Sequence, residues 1–363
     1  MKKILLGTTA VVALATMSTE AFAADKISLG LGGFMRQYVG VTNSDEVANA
    51  GTNNTDRAMN LSQWSNTEVH FKGSTTLDNG LAVSVKIEKE ADKAGTGTDA
   101  TELTVSSDAM GALTLGGTPH AGDDFRVGAP NAGNFDWTDT DPWVSVGSTT
   151  ANAQQAAPVA RDITDMGDKS IKVKYVSPSF SGVNVFGSYT AAEGSNTHNA
   201  RNLARNRTND GSTLGVAYSG EMSGATISAA AIHARTNGTG EVNNFGLNVG
   251  MAGFTVGGAY AEFDGDTAGN TGNYGKAWEL GVAYETGPYS VSARYMASDD
   301  KGVIATAGKD KDKKYQVAGT YDMGAGVALT ATYFHSKFDT EGAARAAADG
   351  TVSGLIAGIE VGF

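Results

Sequence analysis

The stretch LDNGLAVSVKIE, Leu77 to Glu88, holds a turn and a strand with two unlike faces. Asp78-Asn79-Gly80 is turn chemistry, because Gly and Asn tolerate the positive backbone angles of a tight reversal. After it, Leu81, Val83, Val85 and Ile87 share one face, while Ala82, Ser84, Lys86 and Glu88 share the other. A period of two is the signature of a strand. Before the turn the same contrast runs in reverse, with Val69 and Phe71 opposed to Glu68, His70 and Lys72. The two segments read as one hairpin with a greasy side and a charged side. Ile171, Val173 and Tyr175 against Lys172 and Lys174, and Trp278, Leu280, Val282 and Tyr284 against Glu279, repeat the pattern. An apolar row facing lipid and a charged row facing water satisfy it.

The turn recurs as DAMG before Ala112, SPSFSG before Val183, SGEMSG before Ala225, MAG before Phe254, ETGP before Tyr289 and DMGAG before Val327. With LDNG, these turns join fourteen strands. One more strand precedes them, Ile27 to about Val41, and one follows, Thr351 to Phe363, giving sixteen. Long polar segments separate the hairpins: 42–61, 91–98, 117–167, 192–211, 236–241, 264–276, 298–313 and 339–350. Short turns at one end and long loops at the other are the asymmetry of a membrane β-barrel. The last ten residues, GLIAGIEVGF, put Leu355, Ala357, Ile359, Val361 and Phe363 on one apolar row. Because no open edge survives in lipid, this strand is expected to pair with the first and close the barrel. Tyr175, Tyr218, Tyr284, Tyr289, Tyr321 and Phe363 lie beside short turns or at the final end, where an aromatic girdle belongs.

Lys2 and Lys3 precede an apolar run from Ile4 to Met17, and Ala21-Phe22-Ala23 follows as a small-x-small cleavage site. Residues 1–23 therefore read as an export signal, with residues 24–363 as a single barrel domain. Without Lys2, Lys3 and Glu20, 25 basic residues face 38 acidic ones, about −13 net. That balance argues against nucleic acid as a partner. The chain has no cysteine, so backbone pairing and burial alone must hold it together.

The leader, sixteen alternating strands, a third loop of about fifty residues and the terminal Phe363 together resemble a Gram-negative general diffusion porin. The likeness implies an all-β transmembrane antiparallel barrel forming a homotrimer in the outer membrane. It also implies a water-filled channel for small hydrophilic solutes and ions, with the third loop, 117–167, folded inward as a constriction. Phe363 would be the signal read by the barrel-assembly machinery, and outer-membrane lipid and lipopolysaccharide would surround the barrel. Under this likeness the loop carboxylates Asp123, Asp124, Asp136, Asp139 and Asp141 line the constriction. Arg36, Lys72 and Lys86, placed on the water side by strand parity, form a basic wall opposite them. Lys172, Lys174 and Arg294 are further candidates for the water side. The excess of carboxylates predicts weak cation preference.

No cofactor is implied, and structural calcium is the one ion reading that the acidic loops offer. Asp264-Gly-Asp266-Thr-Ala268-Gly269 has the first carboxylates and the glycine of an EF-hand loop, but Ala268 replaces a ligand and Gly275 stands at the bidentate position. Of the histidines 70, 120, 198, 233 and 335, only His335 has an adjacent serine, Ser336, and the two point to opposite faces of a strand. No nucleophile and base are paired by spacing, so the sequence reads as a non-enzyme. A substrate-selective channel and a structural or adhesin barrel with a plugged lumen are the alternatives; the charged inner rows argue against the plug.

Overall fold

The computed structural model describes residues 26–44, 59–92, 98–135, 137, 169–191, 210–238, 240–265, 274–301, 309–339 and 350–363. The expected leader lies outside them. Strands β1 (Gly30–Ser44), β2 (Met59–Thr76), β3 (Ala82–Glu90), β4 (Thr98–Ser107) and β5 (Gly111–Gly117) form the first part of the wall. Next come β6 (Ile171–Val176), β7 (Val183–Thr190), β8 (Gly211–Met222), β9 (Ala225–Thr236) and β10 (Gly240–Met251). The wall is completed by β11 (Phe254–Asp264), β12 (Tyr274–Thr286), β13 (Tyr289–Lys301), β14 (Asp310–Gly324), β15 (Val327–Asp339) and β16 (Gly350–Gly362). Each strand pairs antiparallel with its sequence neighbours, and β16 pairs with β1, so the sheet is a closed sixteen-strand barrel. Among the described residues no helix is long and apolar enough to cross a membrane.

The short turns fall where Gly, Asn and Ser mark them. Ser223-Gly224 has φ of 51° and 83°, and Ser181-Gly182, Ala252-Gly253 and Ala325-Gly326 repeat that double positive φ. Such turns match the right-handed twist of the strands they join. At the seam, Gly33 N–H donates to the Phe363 carbonyl (2.8 Å) and Phe363 N–H returns a bond to Gly33 (3.1 Å). A Cβ on Gly33 would lie 2.2 Å from the Glu68 carbonyl, so only glycine fits that close approach.

Exposed large apolar side chains occupy alternate positions: Leu31, Met35 and Val39 on β1; Leu280 and Val282 on β12; Leu355 and Ile359 on β16. This row is the outer face. The turn-side aromatics lie on it, with Tyr289 stacked on Tyr321 and Phe254 beside Tyr284. A second outer row, unforeseen in the sequence, stands six residues further along the same strands: Tyr260, Trp278, Tyr295 and Tyr315. Trp278, Tyr295 and Tyr315 are in successive ring contact. Six residues span about 20 Å of strand, a band of Val, Leu, Ala and Gly between two aromatic belts.

Several strands run further than residue polarity suggests. The segment expected as a loop at 236–241 shrinks to 237–239, and β13 and β14 reach Lys301 and Asp310, inside the expected 298–313 loop. Backbone pairing does not stop where side chains become polar; above the lipid a polar outer face is as acceptable as an apolar one.

Candidate functional site: the barrel lumen

Inward parity brings charge together on neighbouring strands. The Arg36 guanidinium lies over the Phe34 ring (4.2 Å) with Nε 3.8 Å from Glu360 Oε2, and Glu360 also accepts from the Tyr38 hydroxyl at 2.6 Å. On β3, Lys86 Nζ is 3.3 Å from Glu88 and 2.9 Å from Glu102. Lys72 stands directly opposite Lys86 across the β2–β3 pair. His70 Nε2 is 2.9 Å from Glu68 and 3.7 Å from Glu88. The three basic residues expected inside thus share the wall with Glu68, Glu88, Glu102 and Glu360. Charge on this side is mixed rather than basic.

The segment after β5 reaches many strands. Ala121 N–H donates to Ser188 Oγ on β7 (3.0 Å), and Phe125 stacks on Phe186. The Gly128 carbonyl accepts from Asn248 on β10 (3.0 Å), and Ala129 N–H donates to Glu279 on β12 (2.9 Å). Ala132 bonds Ser292 on β13 and Thr320 on β14. Phe135 packs on Tyr38 and Trp64, residues of β1 and β2. These partners come from β7, β10, β12, β13, β14, β1 and β2, and all have inward parity. Only a segment within the barrel touches them together. Gly246 makes room for it, since a Cβ there would lie 1.9 Å from the Val127 carbonyl.

Two inward cations are tied to this segment. Arg294 donates to Gln316 Oε1 (2.8 Å) and to the Phe135 carbonyl, with its guanidinium 4.1 Å from the Trp137 ring centre. Lys314 Nζ is 3.3 Å from the Trp137 carbonyl and 3.4 Å from Asp312. Trp137 Nε1 donates to Glu279.

Of the loop carboxylates, Asp124 is clasped by Lys174 on β6 at 2.8 Å, close to where the segment leaves the wall. Partial burial pushes its carboxyl above the ordinary carboxylate range; Lys174 opposes the rise, and Asp123 and Glu102 add to it. Asp123 is half-buried beside it. Asp136, Asp139 and Asp141 lie outside the described residues, as do 266–273 of the EF-hand-like segment. His335 Nδ1 lies 2.8 Å from Ser353 Oγ across the β15–β16 pair, on the outer face, a partnership set by register rather than by adjacency.

The family model of Gram-negative porins matches residues 8–341. The chain belongs to the Gram-negative porin family. It is accordingly an outer-membrane channel protein. Among solved structures, this porin is similar to a loop-deletion variant of OmpT, an outer membrane protein of Vibrio cholerae. That pair has TM-score 0.62 at 14% identity, over 93% of this chain and 100% of that one. The anion-selective porin from Comamonas acidovorans aligns over the same shares with TM-score 0.59 and 16% identity. At such identities the likeness is one of fold. A search of curated protein sequences finds no match.

Proposed function

We propose that this porin is a general diffusion channel, passive and without a catalytic step, that admits small hydrophilic solutes and ions with weak cation preference. The supporting observation is the segment 118–135 with Trp137, held against inward residues on strands from β7 round to β2, in a lumen whose remaining side, at β3, bears partly solvated charge. In this reading loop 117–167 narrows the channel, Asp123 and Asp124 contribute to its acidic lining, and Asp136, Asp139 and Asp141 extend it. Residues 1–23 act as a cleaved export signal, and Phe363 is read during assembly. The barrel works as a homotrimer, surrounded by outer-membrane lipid and lipopolysaccharide. The mixed wall explains why the preference is weak: Lys86 and Arg36 offset the carboxylates beside them.

Planar-bilayer recording in a KCl gradient tests this reading. The expected result is ohmic conductance in steps of three, with a reversal potential of modest cation sign that fades toward ~1 M salt, where the screening length falls to ~3 Å. Changing Asp123, Asp124, Asp136, Asp139 and Asp141 together to Asn should move that potential toward anions. An unmoved potential in a folded barrel overturns the constriction assignment. A folded barrel without conductance overturns the channel reading in favour of a plugged one.

A further inference from the structure

We propose that Glu68, His70 and Glu88 form a binding site for a divalent transition-metal ion, Zn²⁺ in the first instance, on the lumen wall. Their ligand atoms all lie within 4.8 Å of one another. His70 and Glu88 are direct partners across the β2–β3 pair, and Glu68 is the next inward residue on the strand that carries His70. The strand period therefore aims all three at one point. His70 Nε2 is 2.9 Å from Glu68 and 3.7 Å from Glu88, with the side chains 12–13% exposed. About 3.3 Å separates ligand atoms bound at ~2.0–2.1 Å to one tetrahedral Zn²⁺, so small rotations bring the three to bonding distance. The Phe34 ring packs edge-on against the imidazole, centroids 5.7 Å apart, and fixes its plane.

One imidazole and two carboxylates suit zinc, copper or nickel better than magnesium or calcium, which take oxygen ligands. Three protein ligands leave a coordination position for water on the lumen side. Lys86 is the competitor, 3.3 Å from Glu88, but Glu102 holds the same ammonium at 2.9 Å. A metal ion at Glu88 displaces that contact without stranding the lysine. Binding places two positive charges between Glu68 and Glu88 and cancels their joint charge, so an occupied site weakens any cation preference of the lumen.

The test is isothermal titration of the full-length protein in detergent with ZnCl₂, with MgCl₂ as comparison, followed by bilayer recording with each salt. Expected are one high-affinity Zn²⁺ per chain, no matching Mg²⁺ isotherm, and a Zn²⁺-dependent shift of the reversal potential toward anions. His70→Gln should weaken Zn²⁺ at least tenfold, and Glu68→Gln should do the same if His70→Gln fails to fold; His233→Gln, on the outer face, should leave binding unchanged. No Zn²⁺ isotherm up to ~1 mM, or one untouched by His70→Gln in a folded barrel, overturns the site. Because the titration does not need a conducting barrel, its outcome is separate from that of the channel reading.

Discussion

Two stretches of the inner wall carry basic side chains at the same strand parity and use them in opposite ways. On β1 and β3, Arg36 and Lys86 keep 32% and 24% of their side-chain surface open, each facing carboxylates of the wall itself. On β13 and β14, Arg294 and Lys314 are 6% and 1% exposed, closed over by Phe135 and Trp137 and bonded to the backbone carbonyls of those residues. The difference is the segment from 118 to 137, which covers one stretch and touches the other only at its edge, through Tyr38 and Trp64. Solvated charge shapes the field inside the lumen. Buried charge fastens the segment after β5 to the wall. An inward lysine is thus no proof of a pore-lining lysine.

The comparison breaks most sharply at Lys314. Lys314→Met removes the ammonium 3.4 Å from the fully buried Asp312, and breaking a buried pair costs about 3–5 kcal/mol. Urea unfolding of the barrel in vesicles should show a loss of that size, and a loss below ~1 kcal/mol would mean that water reaches the pair. Next in size is Val85→Arg on the outer face. It should cost about 2–4 kcal/mol near the bilayer midplane. A larger cost at Lys86 than at Val85 would place the strand one residue out of register.

A smaller effect concerns Asp124, whose carboxyl is held above its usual range by partial burial. A raised pKa means the negative charge is present above that value and lost as pH falls through it. The proposed cation preference should therefore begin to decline at a pH where ordinary carboxylates, near ~3.9–4.3, are still ionised. Asp124→Asn should remove that early step, and identical pH profiles for the two channels would show that Asp124 does not influence the ion path. The smallest effect is expected at Lys86→Gln, a partly solvated pair in the wall, below about 1 kcal/mol in the same unfolding measurement.

The turns and faces were legible because each rests on local chemistry. Ser223-Gly224 needs a positive φ at both residues, and Val85 and Lys86 must part because successive side chains leave a strand on opposite sides. The upper ends of strands were not legible. Residues such as Asp299, Lys311 and Lys313 carry the ladder into water, where alternation loses its contrast. Cross-strand partnerships were half legible. The LDNG turn sets Thr76 opposite Ala82, and counting outward from it lands His70 on Glu88, so the cluster was available to a reader who followed register as well as parity. Nothing local marks Arg294 and Lys314 as covered. Their cover comes from Phe135 and Trp137, brought across the lumen by contacts distant in sequence.

The seam between β1 and β16 has a consequence for the order of folding. Every other pair joins strands that follow one another along the chain, most of them across short connections, so their contacts form at smaller loop-closure cost. The bond from Tyr38 to Glu360 spans 322 positions. With the entropy of closure growing by about 0.6 kcal/mol for each doubling of loop length, joining these ends directly costs roughly 3 kcal/mol more than closing a ten-residue hairpin. Zipping the intervening hairpins first shortens that search, leaving a curved sheet whose two raw edges meet last. Until they do, the chain carries two unpaired templates for aggregation, and the final step is the one that removes both.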